Sequence, residues 1–254
     1  MDNEKFARDM MRLEEARRRT EERMEQEKRR INRRFERLQQ RLERKFGKPS
    51  DTQERIIEAA LELLRQEGLA NLTQRRLATM LNMQAPALYW HFKNKEVLVD
   101  HLAEAILAKE FSNMQPRADD ESWQDWLVGH MVRLRKAMLA YKDGARVVAG
   151  AHLYPAVTLA HSLECGLVSL SSAGVDLRTA RRIMVTATTY TFGYVIEEQS
   201  APTAEEMAQF DLETFLVPYP CMAETLRDYT PDKQSGNDDY LAGLRYIIQG
   251  GTLQ

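Results

Sequence analysis

Residues 84–91 combine small side chains with side chains that form hydrogen bonds. Ala85 and Ala87 alternate with Tyr89 and His91 along this stretch. If the stretch is helical, the small side chains let the helix sink into a groove, and the longer ones reach its edges. Base edges and phosphate oxygens in the major groove of duplex DNA carry the complementary groups. The residues therefore indicate a DNA-contacting surface.

Two short helices are needed to position such a surface, and the surrounding residues predict both. Thr73 can cap the first helix with its hydroxyl, and Leu77 and Leu81 follow at helical spacing. Asn82 comes next, and asparagine tolerates the left-handed backbone of a tight turn. Pro86 lies in the first turn of the second helix, where its missing N–H does no harm. Together these features predict a helix-turn-helix.

Two segments around it resemble a known family. They are TQERIIEAALELLRQEGLANLT at residues 52–73 and PALYWHFKNKEVLVDHLAEAIL at residues 86–107. Both are similar to the TetR family of bacterial repressors, and LYWH followed by Lys-Asn-Lys is similar to the branch of the Tet repressor. The resemblance implies an all-α homodimer, with a helix-turn-helix head and a helical body for ligand binding and dimerisation.

The resemblance also implies DNA contacts. The predicted DNA-binding residues are Thr73, Gln74, Arg75, Ala85, Pro86, Ala87, Tyr89, His91 and Lys95. Ala85 departs from the branch, which has a base-reading glutamine there, so we expect a different operator sequence. Trp90 and Phe92 are expected to pack the head rather than touch DNA, because bulky aromatic side chains usually fill a small core.

Composition divides the chain into three parts. We predict a charged helical extension over residues 1–49, a helix-turn-helix domain over 50–98, and a ligand-binding and dimerisation domain over 99–254. Residues 1–50 hold 17 Lys and Arg against 11 Asp and Glu, residues 51–98 hold 6 against 6, and residues 99–254 hold 13 against 21. The positive charge therefore lies on the side of the DNA-binding head, which suits a protein that presents one end to a polyanion.

The extension is unusual for the family. From Glu4 to Phe46 it contains no Gly or Pro, which predicts one long helix that residues 47–49 (Gly-Lys-Pro) end. Its apolar residues follow a heptad only from about Met24 onward. Three roles stay open: a solvated helix laced with salt bridges, a basic arm along flanking DNA, or a coiled coil that joins partners or dimers. The arginines of the basic-arm hypothesis are Arg29, Arg30, Arg33, Arg34 and Arg37.

Further helices are expected beyond the head. They cover residues 95–111 as a connector, then about 121–141, 145–152, 155–173, 177–198 and 238–249, with a long connection over 200–220. The resemblance implies that the helix of 177–198 and the terminal helix form a four-helix dimer interface. One candidate stripe, which is equally typical of an intramolecular core, consists of Ala180, Met184, Ala187, Tyr190 and Tyr194.

A ligand pocket inside the body is also implied by the resemblance. The predicted ligand-binding residues are Phe111, His130, Met131, Leu134, Val148 and His152. The position of Val148 is a metal-binding histidine in the branch, so a magnesium–tetracycline complex is not the expected inducer. The remaining side chains favour an aromatic or amphipathic molecule, held mainly by burial with one or two hydrogen bonds. Each histidine can also be a structural residue.

Other functional classes find little support. No Gly-rich phosphate loop, nucleophile elbow or HExxH motif occurs, so an enzyme is not expected. Cys165 and Cys221 have no neighbours at metal-ligand spacing, so we expect neither a metal nor a cofactor. The chain has no apolar run of about 18 residues and no recognisable signal peptide, which predicts a cytoplasmic protein without membrane contact.

These observations predict a ligand-responsive transcriptional repressor that binds a palindromic operator of double-stranded DNA as a homodimer. A small, largely apolar or aromatic inducer is expected to release it. The alternative is a scaffold or partner-binding protein that acts through the N-terminal helix.

Overall fold

The computed structural model describes residues 2–46, 50–111, 113–152, 156–227 and 233–252. Within these ranges all regular structure is α-helical, as predicted, and none of the helices is long and apolar enough to cross a membrane. The helices are α1 (Asp2–Phe46), α2 (Asp51–Glu67), α3 (Gln74–Met80), α4 (Ala85–His91), α5 (Lys95–Phe111), α6 (Trp123–Leu139), α7 (Gly144–Ala149), α8 (Val157–Ser172), α9 (Leu177–Ser200), α10 (Ala204–Ala208), α11 (Leu212–Leu216), α12 (Pro220–Arg227) and α13 (Lys233–Thr252).

Local capping accounts for several of these boundaries. The Ser50 hydroxyl accepts a hydrogen bond from the Gln53 backbone, and the Gln53 side chain accepts one from the Ser50 N–H, which forms a capping box for α2. Asp176 caps α9 by accepting from two backbone N–H groups in its first turn. The predicted end of α1 at residues 47–49 and the predicted start of α8 at Pro155 lie outside the described residues.

The C-terminal part is more helical than predicted. The expected connection over residues 200–220 contains α10 and α11, which Thr203 and Asp211 cap with their side chains. α13 begins at Lys233 instead of near Asp238. Both caps are short polar side chains that accept a bond from a backbone N–H three residues later. Pro202 and Pro218 lie outside these two helices, and Pro220 is the first residue of α12, where a proline is tolerated.

One apolar core runs from the head into the body. In the head, Leu64, Leu77, Leu88 and Phe92 are buried with Leu98 of the connector α5. The same core continues through α6, α7, α8, α9 and α13. α5 packs on α2 on one side and on α6, α7 and α8 on the other. Any shift of α5 therefore moves the head relative to the body.

The candidate stripe on α9 belongs to this core. Ala180, Met184 and Ala187 are buried within the single chain, and α9 packs on α6, α8 and α13. The Tyr190 hydroxyl donates a hydrogen bond of 3.1 Å to the backbone oxygen of Tyr240 on α13. The stripe is therefore part of the intramolecular core, and a dimer interface on α9 needs another face of this helix.

A short patch holds α1 to the body. Ile31 is 3% exposed, and the Phe35 ring stacks on the His161 ring of α8 with centroids 4.0 Å apart. The Asn32 amide donates a hydrogen bond of 2.9 Å to the side chain of Gln115. Two turns of a 45-residue helix therefore supply these docking contacts.

Replacement of Ile31 by alanine is expected to release α1. Truncation of a buried isoleucine costs about 2–5 kcal/mol. Here that free energy is lost from the docking of α1 on the body. Trypsin should then cleave within residues 1–46 roughly ten times faster or more, while the body's melting temperature changes little. Leu38→Ala is the matched control, because Leu38 is 41% exposed on the same helix. Equal cleavage rates for the two variants would contradict the docking.

Candidate DNA-binding surface and ligand-binding core

A tight turn between α3 and α4 sets the geometry of the helix-turn-helix. The Thr73 hydroxyl accepts a hydrogen bond of 3.3 Å from the Arg76 backbone at the start of α3. Asn82 has a φ of 51°, the left-handed conformation that the sequence predicts. α4 then begins at Ala85, with Pro86 in its first turn. The predicted helix-turn-helix is present.

The predicted DNA-binding residues differ in their exposure. Three are exposed: Thr73, Arg75 and Pro86. Five are half-buried: Gln74, Ala85, Ala87, His91 and Lys95. The side chain of Tyr89 lies outside the described part of the structure. Arg75 has no ion-pair partner among the described side chains, so its guanidinium is available to an anion.

The two aromatic residues of α4 behave differently from each other. Phe92 is 3% exposed and packs the head, as predicted. Trp90 is 89% exposed, so the prediction that it packs the head is wrong. Leu88 and Phe92 are four residues apart and share the buried side of the helix, whereas Trp90 lies between them on the other side. Helical spacing could have revealed this difference.

Hydrogen bonds join the head directly to the body at the turn between α2 and α3. The Leu69 N–H donates to the Asp143 carboxylate of the α6–α7 turn over 2.9 Å. Lys142, also of the body, donates to the Gln66 backbone oxygen over 3.4 Å, and within the head the Lys95 ammonium donates to the Leu69 backbone oxygen over 3.0 Å. Lys95, predicted to contact DNA, thus holds this turn in the present structure. Leu69 and Asp143 are 74 residues apart, so no local signal points to their contact.

Five of the six predicted ligand-binding residues belong to one buried core. They lie on α5, α6 and α7 and are Phe111, His130, Met131, Leu134 and Val148. This core consists mainly of aliphatic and aromatic side chains.

His130 is the polar group at its centre. Its Nε2 lies 2.7 Å from the Ser162 hydroxyl, and its ring stacks on Trp126 with centroids 4.8 Å apart. Burial, assisted by the positive charge of Arg133, lowers the pKa of His130 to about 3. The imidazole is therefore neutral near pH 7, and it can donate one hydrogen bond and accept another.

His152 lies apart from this core. Its side chain is 76% exposed, and its Nδ1 is 3.1 Å from the Asp100 carboxylate of α5. One helical turn further along α5, the Glu104 carboxylate accepts hydrogen bonds from the backbone and hydroxyl of Thr158, and burial raises the pKa of Glu104. The sequence analysis missed both carboxylates, although their spacing of four on an otherwise apolar helix is a usable signal.

Metal ligands are not assembled in the described part of the chain. No group of three or more His, Cys, Asp and Glu side chains there could hold a metal ion. Val148 is fully buried and offers no donor atom. Burial raises the pKa of the Cys165 thiol to about 12, which keeps it protonated and disfavours its use as a thiolate ligand.

Two family models match the chain. The one described as "Bacterial regulatory proteins, tetR family" covers residues 56–102, and "Tetracyclin repressor-like, C-terminal domain" covers residues 115–252. The first covers most of α2, the helix-turn-helix of α3 and α4, and the first half of α5. The second covers the body from α6 to α13.

Known proteins agree with both matches. The tetracycline repressor protein class A from transposon 1721 of Escherichia coli is 43% identical over 145 residues, which are 57% of this chain and 66% of that protein. The class D repressor of Escherichia coli is 35% identical over 204 residues, 80% of this chain and 89% of that protein. A TetR variant from Acinetobacter baumannii AYE, solved in complex with minocycline, is 31% identical with a TM-score of 0.58, covering 80% of this chain and 96% of that one. The chain therefore belongs to the TetR family of ligand-responsive bacterial transcriptional repressors.

Proposed function

We propose that this protein represses transcription by binding a palindromic operator as a homodimer, and that a small, largely apolar or aromatic molecule releases it. The outer face of α3 and α4 carries the proposal. Arg75, Pro86 and Trp90 are exposed there, while Leu88 and Phe92 fix α4 on a buried core. A helix that reads a major groove needs this combination of rigid support and a free outer face.

Selection of bound fragments from random duplex DNA tests the proposal. We expect enrichment of an inverted repeat whose half-sites are one helical turn, roughly 34 Å, or a multiple of it apart. An operator unlike that of the tetracycline repressors is expected, because the short side chain of Ala85 cannot make the base contact of a glutamine. Recovery of no common sequence would contradict the proposal.

A face shared by α9 and α13 supports homodimerisation. These helices pack on each other, and their outer sides carry Val185, 40% exposed, and Tyr246, 72% exposed. Thr189 and Gly193 follow Val185 at intervals of four and are also exposed. Small residues beside large apolar ones suit close helix packing, and a second copy offers the same face in a two-fold arrangement.

A direct path from the ligand-binding core to the head supports release by ligand. His130 on α6 and Val148 on α7 flank the turn that contains Asp143. The Asp143 carboxylate holds the backbone of Leu69 in the head. A ligand that repacks α6 and α7 therefore pulls on the head. It needs to prefer the non-binding arrangement by only about 1–3 kcal/mol to change DNA affinity substantially.

Arg75→Gln is expected to weaken operator binding by about 1–3 kcal/mol without lowering the melting temperature, because Arg75 is exposed. Fluorescence anisotropy with a labelled operator measures the loss. Arg76→Gln is the matched control: it removes the same charge from the next position, but the Arg76 guanidinium donates a 2.7 Å bond to Glu67. Equal losses for both variants would show that Arg75 has no specific contact.

Tyr246→Glu is expected to convert the dimer into monomers, because each interface would then bury two unpaired carboxylates related by symmetry. Light scattering after size exclusion gives the mass. Met11→Glu is the control, since Met11 is 70% exposed on α1. Loss of the dimer in Met11→Glu but not in Tyr246→Glu would assign dimerisation to α1 instead.

Minocycline is expected to raise the melting temperature no further when magnesium is added, because Val148 cannot ligate the ion. A thermal-shift assay with and without magnesium measures this effect, and the Acinetobacter baumannii repressor is the positive control. A panel of uncharged aromatic compounds should contain molecules that raise the melting temperature without a metal. A magnesium-dependent rise with minocycline would contradict the proposed ligand class.

A further inference from the structure

Charge divides α1 into two unlike halves. Residues 2–27 hold 7 Lys and Arg against 9 Asp and Glu, whereas residues 28–46 hold 9 against 2. In the first half, Arg18 and Arg19 pair with Glu22 and Glu15 one turn away, at 3.5 and 2.6 Å. This half matches a solvated helix laced with salt bridges, whose exposed pairs contribute little. The second half has too few carboxylates to do the same.

The arginines of the second half form one row. The name arginine stripe is used below for Arg30, Arg34, Arg37, Arg41 and Arg44. Their spacing of four, three, four and three places them on one side of the helix, over a length of about 21 Å. All five are exposed. Arg30 pairs with Glu27 at 3.3 Å, but no carboxylate pairs with the other four among the side chains that the structure describes.

Docking of α1 turns this stripe outward. Ile31 and Phe35 face α8, and successive residues of a helix are rotated by about 100°. Arg37 is therefore rotated by about 120° from Ile31 and about 160° from Phe35, on the side of the helix away from the body, whereas Arg34 lies at the edge of the docking patch. With α1 held in this way the stripe is exposed, and no carboxylate in the described part of the body pairs with it.

The stripe ends close to the DNA-binding surface. α1 ends at Phe46, and Ser50 already caps α2. Four residues span at most about 14 Å. The first turn of α2 also contacts α4, because the Gln53 amide donates a 3.2 Å hydrogen bond to the backbone oxygen of His91. Only a few residues therefore separate the C-terminal end of the stripe from α2, which contacts α4.

We propose that the arginine stripe binds the sugar-phosphate backbone of duplex DNA immediately outside the operator half-site, an inference that rests on the proposed function. Duplex DNA carries one phosphate charge per about 1.7 Å of its axis, so a row of this length meets several phosphates. Arginine forms bidentate bonds to phosphate and stays charged. These contacts read no bases, so the stripe raises affinity and lengthens the footprint without changing the sequence that is recognised.

Duplexes of two lengths test the proposal with the full chain. One is limited to the selected operator, and the other adds about one helical turn of arbitrary sequence on each side. Fluorescence anisotropy over a range of salt concentrations gives affinity and salt slope. We expect native protein to bind the long duplex at least several-fold more tightly. In Arg37→Gln/Arg41→Gln, this gain should fall, and the slope on the long duplex should decrease by about 0.9 for each phosphate that is no longer neutralised.

Arg18→Gln/Arg19→Gln is the matched control, because it removes the same charge from the ion-paired half of α1. It should keep the length-dependent gain, and circular dichroism checks that both variants retain helix. Equal gains for native protein and Arg37→Gln/Arg41→Gln, with operator preference intact, would overturn the stripe alone. If the native protein binds all sequences equally, the proposed function is wrong. In that case the salt dependence of binding to a long duplex of random sequence still tests whether the stripe contacts phosphates.

Discussion

The packing of α5 is the constraint on which the rest of the structure depends. Leu98, Leu102, Ile106 and Phe111 are buried along its length, and the helix meets α2 of the head and α6, α7 and α8 of the body. A helix with apolar residues on several sides has to be enclosed by neighbours. The chain must therefore surround α5 with both the DNA-reading head and the ligand-binding body, and neither can move independently of it.

Hydrogen bonds add specific connections between the head, α5 and the body to this shared packing. Asp100 and Glu104 are carboxylates on the apolar connector, and each is satisfied by a partner near α7 or α8. Lys95, at the connector's first position, and Asp143, at the α6–α7 turn, hold the same residue of the head, Leu69. Breaking one such bond leaves a partly buried donor or acceptor unpaired, which costs about 1–3 kcal/mol. That cost is comparable with the coupling free energy by which a ligand changes DNA affinity.

The N-terminal helix follows a different physical rule. It is held by a small patch around Ile31 and Phe35, and most of its other side chains that the structure describes are exposed. Its role therefore depends on charge more than on burial. Where arginine and glutamate alternate by one turn, as at Arg19 and Glu15, the charges neutralise each other within the helix. Where carboxylates are few, over residues 28–46, the field of the arginines extends into solvent and falls off over about 10 Å at moderate salt. Phosphates close to the head lie within reach of such a field.

The amino-acid sequence by itself determined the features that depend on a few neighbouring residues. Thr73, Asn82 and Pro86 specify a cap, a turn and a helix start, and each acts through backbone groups within four positions. Family resemblance extended this to the all-α head and body. Tertiary structure alone decided which faces are buried. The stripe at Ala180 and Met184 looks the same in sequence whether it meets its own chain or a second copy. The contact of Leu69 with Asp143 joins residues 74 positions apart. Burial and such contacts depend on partners brought together by the whole fold, and no local pattern encodes them.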